Sequence, residues 1–205
     1  MLISAWRNSL NILEITNAYA TLANSGIKNE PFFITKVTDM NDNILYEHKD
    51  TSQLVLNYDY VYILNNLLSL TYDYDLIDYA YPTNISINAL LSNKYAIKSG
   101  STSTDNWVIG FNKNVVTSVW VGNDDNSPLS GDDYKYVKRI WANTMETYLK
   151  DKDNTWYEKP DNVVGVFVDP ITGEIANDKT KKRKIFYYVN GTEPTSIYDV
   201  FNEIE

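Results

Sequence analysis

Apolar positions recur at helical spacing near the start of the chain: Ile12, Ile15, Tyr19, Leu22 and Ala23. Asn11 stands where an N-cap belongs, Glu14 completes a capping-box pattern, and Gly26 falls where helices commonly stop. The pattern predicts a helix over 11–25. A second is predicted over 57–71, with Asn57 as cap, Asp59 in the first turn, and Val61, Leu64 and Leu68 on one face. A third is predicted over 135–150, with Val137, Ile140, Trp141, Met145 and Leu149 inward. "FFITKVTDMNDNILYEH" reads as two short strands around the turn "MNDN".

Three strands are predicted at 94–102, 105–112 and 114–123. Trp107, Ile109 and Phe111 share a face of the second. In the third, Val115, Thr117, Val119 and Val121 share one face, and Val116, Ser118 and Trp120 the other. The link Asn112-Lys113-Asn114 suits a hairpin, so the last two strands should be antiparallel neighbours. Both faces of 114–123 are largely apolar, which predicts a central strand covered on both sides. The helix at 135–150 is expected on one face of the sheet, and those at 11–25 and 57–71 on the other side or at its end. Residues 72–94 show no steady period and read as a long connection. Beyond Pro160, two or three short strands are expected, with turns at Asp169-Pro170 and Asn190-Gly191. The fold class is therefore α+β, an antiparallel sheet with packed helices. Residues 1–158 form its body and 159–205 a small C-terminal β extension.

At 205 residues, one domain with or without an appendage is expected. A net charge of −9 argues against non-specific nucleic-acid binding, which needs a basic face. With no cysteine there is neither a disulfide framework nor a thiolate metal site. A Ser-His-Asp triad would have to use His48, but "YEHKD" reads as the exposed end of a hairpin. Apolar runs fall far short of the roughly 18 residues of a membrane span. "MLISAWRNSLNILEI" shows no export-signal pattern. "GNDDNSPLSGDD" lacks the spacing of a calcium loop and reads as a solvated connection. No metal and no cofactor are expected.

The stretch "AIKSGSTSTDNWVIGF" places short hydroxyl residues around one lysine at the end of a strand. "KSGST" resembles the lysine-threonine-glycine box of penicillin-binding proteins, with Ser99 in the threonine's place. "DNWVIGFNKNVVTSVWVGND" resembles the hairpin after that box in the transpeptidase domain of the bifunctional, class A members. Upstream, "NILEITNAYATLANSGIKNEPFFITKVTDMNDNILYE" is similar to the family's helix and hairpin, with Asn11-Ile12-Leu13-Glu14 at its usual Ser-Pro-Leu-Glu start. Downstream, "IWANTM" and "GVFVDPITGEIAND…NGTEPT" resemble its last helix and tail. The resemblance runs in order along nearly the whole chain.

It implies part of a penicillin-binding-protein or serine β-lactamase-like fold. It also implies acyl transfer from D-alanyl-D-alanine stem peptides through a serine acyl-enzyme. Carried over by position, Lys98 supplies positive charge near the substrate carboxylate and supports proton relay. The hydroxyls of Ser99 and Ser101 grip that carboxylate, with Thr102 beside them. Gly100 leaves room for substrate along the strand, and the Ser101 N–H is an oxyanion-hole donor. Implied partners are peptidoglycan stem peptides, β-lactams and the remaining N-terminal half of the domain. The implied location is the extracytoplasmic face of the cell membrane.

The family also needs Ser-x-x-Lys for the nucleophile and Ser-x-Asn for proton movement. The formal match Ser25-Gly26-Ile27-Lys28 falls in the loop after the first helix, whereas the nucleophile should open a buried helix. Ser86-Ile87-Asn88 and Ser92-Asn93 lie just before the box strand, not upstream of the first helix. No nucleophile is therefore expected within this chain, which reads as the C-terminal part of a split or truncated domain. Three functional readings stand: a transpeptidase segment, a non-catalytic remnant or interaction module, and a serine β-lactamase-like fragment. "DNWVIGF…VWVGND" and the "GTEPT" tail favour the transpeptidases over the last.

Overall fold

The computed structural model describes residues 10–78, 80–131 and 133–199. Helix α1 spans Ile12–Ala23. Its capping box is complete, with the Asn11 N–H donating to Glu14 at 2.8 Å and the Glu14 N–H to Asn11 Oδ1 at 3.0 Å. Two otherwise unpaired donors of the first turn are thus satisfied. The helix ends in left-handed backbone at Ser25 and Gly26 (φ 57° and 91°). A Cβ at 26 would stand 2.2 Å from the Leu56 carbonyl oxygen, so the turn admits only glycine. A ribbon follows: β1 (Ile27–Lys28), β2 (Lys36–Thr38), β3 (Ile44–Glu47) and β4 (Gln53–Leu54). β1 pairs with β4 and β2 with β3, all antiparallel. The "MNDN" turn joins β2 to β3. The Asp39 carboxylate holds it by accepting from the N–H groups of Asn41 and Asn43 at 2.8 and 2.9 Å.

Helix α2 spans Tyr58–Ser69, capped by Asn57 on the Asp59 N–H. Its buried residues differ from the expected apolar stripe. Val61 is buried, but with Tyr62, Asn65, Asn66 and Ser69, while Leu64 is exposed. The apolar stripe through Tyr60, Leu64 and Leu67 is the exposed side of the helix, so periodicity points to the wrong face. Side-chain amides choose the buried one. Asn65 donates to the Leu22 carbonyl at 3.3 Å, and Asn66 accepts from Lys94 Nζ at 2.9 Å and from Trp156 Nε1 at 3.2 Å. Residues 72–94 are not a structureless connection either. They contain short 3₁₀ helices at Leu70–Tyr72, Tyr74–Leu76 and Ile85–Leu90. Buried Asn84 ties the segment together, its N–H on the Thr71 carbonyl at 2.8 Å and its amide on the Thr71 hydroxyl at 3.1 Å. Turns of three residues leave no period that a helix or strand template detects.

The three predicted strands form one antiparallel sheet, β5 (Ala96–Ser101), β6 (Asp105–Phe111) and β7 (Val116–Gly122), in that order. Helix α3, Asp133–Leu149, covers one face through Val137, Trp141, Ala142, Met145 and Leu149. Ile140, expected inward, is exposed, because the buried stripe follows the four-residue step from Val137 to Trp141 to Met145 to Leu149. α1 covers the other face: Thr16 donates to Ser118 Oγ at 2.7 Å, and the Tyr19 and Phe111 rings lie 6.3 Å apart. Tyr62 of α2 packs with Ala96 and Phe111 on that side. Both faces of 114–123 are covered as expected, and the central place expected of it is one in the complete domain. Among the described residues β6 is the only sheet neighbour of β7, which is an edge strand. Apolar side chains on two faces record helices above and below a strand, not strands beside it.

The tightest joint of this core lies between α3 and the middle strand. A Cβ on Gly110 would stand 2.2 Å from Trp141 Cζ2. The indole Nε1 donates to the Thr117 carbonyl at 3.0 Å, and the ring meets Tyr95 edge-on at 5.3 Å. A second joint secures the entry to β5. The Glu146 carboxylate accepts from the Ser92 N–H at 3.0 Å, the Asn93 amide at 3.2 Å and the Tyr95 hydroxyl at 2.7 Å. It also accepts from the Ser92 hydroxyl. Partial burial pushes its pKa up, but the bonds from Ser92, Tyr95 and Asn93 outweigh this and leave it below the usual glutamate value. Beyond α3, β8 (Val163–Val168) and β9 (Lys184–Val189) form an antiparallel pair. Tyr187 meets Tyr62 of α2 edge-on at 5.2 Å.

Two outcomes follow. Gly110→Ala should cost about 1–3 kcal/mol through overpacking against Trp141, measured by denaturant unfolding. A change within error would show that the indole moves aside at no cost. Glu146→Gln should lower stability at neutral pH and flatten its dependence on acid. A carboxyl whose folded pKa is depressed stabilises above its unfolded value of about 4.3 and loses that contribution as pH falls through the folded value. The wild type should therefore lose more stability than the variant below about pH 4.3, read from thermal melts across that range.

Candidate active-site wall

Lys98 to Ser101 lie on β5, which is the other edge of the sheet among the described residues, and Thr102 follows it. Lys98 pairs across the ladder with Ile109, Ser99 with Val108, Gly100 with Trp107 and Ser101 with Asn106. Successive side chains alternate between faces. Lys98 and Gly100 therefore share the α1 face with Trp107 and Ile109, and Ser99 and Ser101 lie on the α3 face. The cation and the two hydroxyls, adjacent in sequence, sit on opposite faces and converge only at the strand's edge.

That edge is where the backbone becomes available. The Thr102 N–H donates to the Asp105 carbonyl at 2.8 Å, which fixes the phase of the β5–β6 ladder. In that phase residues 97, 99 and 101 turn their N–H and C=O groups outward. Ile97 bears this out, its carbonyl accepting from the Thr71 hydroxyl at 3.1 Å on the outer side. Lys98 Nζ likewise donates to the Ser99 carbonyl. By the same alternation the N–H groups of Ser99 and Ser101 point to the open edge. An added Cβ at Gly100 would meet nothing within 4 Å, so the strand is bare there. A peptide could lie along this edge, take backbone hydrogen bonds, and find Lys98 close by.

Two of the hydroxyls are already occupied. Ser101 Oγ donates to Asn106 Oδ1 at 3.0 Å, across the ladder. Thr102 serves the turn into β6: its hydroxyl accepts the Asp105 N–H at 2.9 Å and donates to Asp105 Oδ2 at 3.2 Å. Asp105 organises this corner and was not singled out from the sequence. Its carboxylate also accepts from Trp120 Nε1 at 2.9 Å and the Thr104 hydroxyl at 2.8 Å. The indole bond is the main reason that its pKa lies below the usual aspartate value. Nothing in the local pattern pairs Asp105 with Trp120, which arrives from β7 opposite Trp107.

The formal nucleophile motif is not assembled. Ser25 sits in the left-handed turn closing α1, and Lys28 is paired with Glu30 at 2.6 Å. Ile87 of Ser86-Ile87-Asn88 is buried, and the Asn88 amide is spent on the Tyr72 carbonyl at 2.8 Å. His48 stacks on Phe32 at 3.6 Å in the exposed ribbon. Among the described residues no group of three or more acidic or histidine side chains could hold a metal ion. Nor is any helix among them long and apolar enough to cross a membrane.

Comparison with known proteins accounts for this arrangement. Residues 159–203 match the family model described as "Penicillin-binding protein 1A, C-terminal domain". The chain is 39% identical over 186 residues to penicillin-binding protein 2D of Bacillus subtilis, covering 90% of the chain and 27% of that protein. It is 28% identical over 198 residues to penicillin-binding protein 1A of Clostridium tetani, covering 92% of the chain and 24% of that protein. It therefore spans about a quarter of the length of these relatives. Its fold superposes on a crystal structure of penicillin-binding protein 1A from Haemophilus influenzae with a TM-score of 0.82 and 23% identity, covering 94% of the chain and 34% of that structure. The chain thus belongs to the class A penicillin-binding proteins and corresponds to their C-terminal region.

Proposed function

We propose that this chain supplies the substrate-binding wall of a D,D-transpeptidase that cross-links peptidoglycan stem peptides, on the extracytoplasmic face of the membrane. The observation that carries the reading is the open edge of β5, with its outward N–H groups at Ser99 and Ser101, Lys98 beside them and bare strand at Gly100. On this reading residues 1–158 are transpeptidase body and 159–205 the C-terminal β extension.

The chemistry assigns a task to each group. A serine on a segment outside these 205 residues attacks the penultimate D-alanyl carbonyl, and the terminal D-alanine leaves as an amine that takes up a proton. An amine of a neighbouring strand then attacks the ester, taking the acyl group and losing a proton as the serine hydroxyl is restored. The Ser101 N–H faces the oxyanion, an interaction worth about 3–4 kcal/mol of barrier. Lys98 lowers the cost of the substrate's carboxylate and supports proton transfer. The hydroxyls of Ser99 and Ser101 reach that carboxylate from the other face at the strand edge, with Ser101 exchanging its bond to Asn106 for one to substrate. β-Lactams enter as acylating mimics of the stem peptide. The second reading, a non-catalytic interaction module, is favoured by one observation: neither Ser25 nor Ser86 stands beside a lysine at the head of a buried helix.

Labelled penicillin separates the readings. The chain alone should form no stable adduct. Co-expressed with a transpeptidase segment bearing Ser-x-x-Lys, the pair should be labelled. In that pair Lys98→Ala should slow acylation by roughly 10²-fold, the scale of losing a group that stabilises the transition state. Ser25→Ala should leave the rate unchanged, and Gly100→Ala should slow labelling without changing the melting temperature. A pair that folds but takes no label would support the interaction module.

The same pairing bears on stability. β7 presents an open, largely apolar edge, and such edges template aggregation. The chain alone should bind hydrophobic dye and self-associate, and the pair should do neither. A monomeric chain that melts sharply without binding dye would refute this.

A further inference from the structure

A cavity of about 350 Å³ opens at the seam between α2 and β9. It is separate from the open edge of β5, since Lys94 on its wall precedes Lys98 by about 13 Å of extended chain. Leu67 lines it from α2, Phe186 and Tyr187 from β9, and Tyr72 and Lys94 from the segments between. Its volume is at the small end of the range for small-molecule sites.

The charges on its wall are unequally satisfied. Lys184 lies between two carboxylates, bonded to Asp73 and, at 2.9 Å, to Asp75. Lys94 has no carboxylate partner among the described residues. Its ammonium donates one hydrogen bond, to Asn66 Oδ1 at 2.9 Å, and lies 4.5 Å from the centre of the Trp156 ring. Asn66 Oδ1 also accepts from Trp156 Nε1 at 3.2 Å, so its acceptor capacity is used. Two of the three ammonium donors are left without an acceptor among the described residues. Although Lys94 as a residue is exposed, its pKa lies below the usual lysine value, through desolvation first and the nearby charge of Lys184 second.

We propose that this cavity binds a small organic monocarboxylate with a flat, apolar body. The carboxylate meets the two free donors of Lys94, and the body lies against Leu67, Phe186 and Tyr187. A second negative charge is disfavoured because Asp73 shares the wall. A cation is disfavoured by Lys94 and Lys184 together. Because α2 and β9 form opposite sides, the ligand also clamps the C-terminal β pair onto the body of the protein.

Benzoate is the probe, with benzamide as a neutral control of the same shape and inorganic phosphate as an anion without an apolar body. Each is titrated into the full chain and followed by amide and indole NMR. Benzoate should give saturable shifts at the Asn66 and Asn88 side chains and the Trp156 indole, with a Kd below about 10 mM. It should bind at least tenfold more tightly than benzamide or phosphate and raise the melting temperature. Lys94→Met should remove the advantage over benzamide, and Lys94→Arg should retain it. Leu67→Glu should block binding with Lys94 intact, which guards against loss through misfolding of one variant. Equal binding of benzoate and benzamide, phosphate as tight as benzoate, an unchanged Lys94→Met variant, or no saturation by about 10 mM would each overturn the site.

Discussion

Trp141 against Gly110 is the contact on which the sheet's position depends. A strand residue without a side chain lets the indole of α3 descend onto the backbone of β6, and the indole N–H then holds the Thr117 carbonyl of β7. One side chain thereby fixes the helix relative to two strands at once. β5 inherits that position through the ladder and through Glu146 of the same helix, which grips the loop at Ser92 and Asn93. α3 decides where the β5 edge lies.

The edge itself is governed by the alternation of an antiparallel ladder. Alternation sends Lys98 to one face and the serine hydroxyls to the other, and turns the N–H groups of Ser99 and Ser101 outward. A peptide added at an open edge gains main-chain bonds first and side-chain contacts second. The adjoining corner is organised by one carboxylate. Asp105 gathers Trp120, Thr104 and Thr102 around it at the end of β5.

Much of the interior beside this wall is polar. α2 buries Asn65, Asn66 and Ser69 where an aliphatic stripe would be the simpler solution. Asn66 makes its hydrogen bonds to Lys94, Trp156 and the Tyr62 carbonyl, whereas Asn65 donates to the Leu22 carbonyl and keeps a buried Oδ1 with no partner among the described residues. The same helix exposes Tyr60, Leu64 and Leu67. Burying the amides on one side left the leucines on the other, and one of those leucines lines the cavity beside β9.

The sequence by itself determined the elements whose signals are local. The capping box at Asn11 and Glu14, the turn residues of the 39–43 hairpin and the alternation through 105–122 each depend on near neighbours. All three appear where the pattern puts them. The box motif was legible because five adjacent letters, Lys98 to Thr102, carry it. Tertiary structure alone decided which face of α2 is buried, since the buried side carries Asn65, Asn66 and Ser69 against the apolar stripe. The 3₁₀ turns of 70–90, the junction of Asp105 with Trp120, and the meeting of Lys94 with β9 join residues far apart in the chain or too short in period to read. Such contacts arise from packing, and no local spacing encodes them.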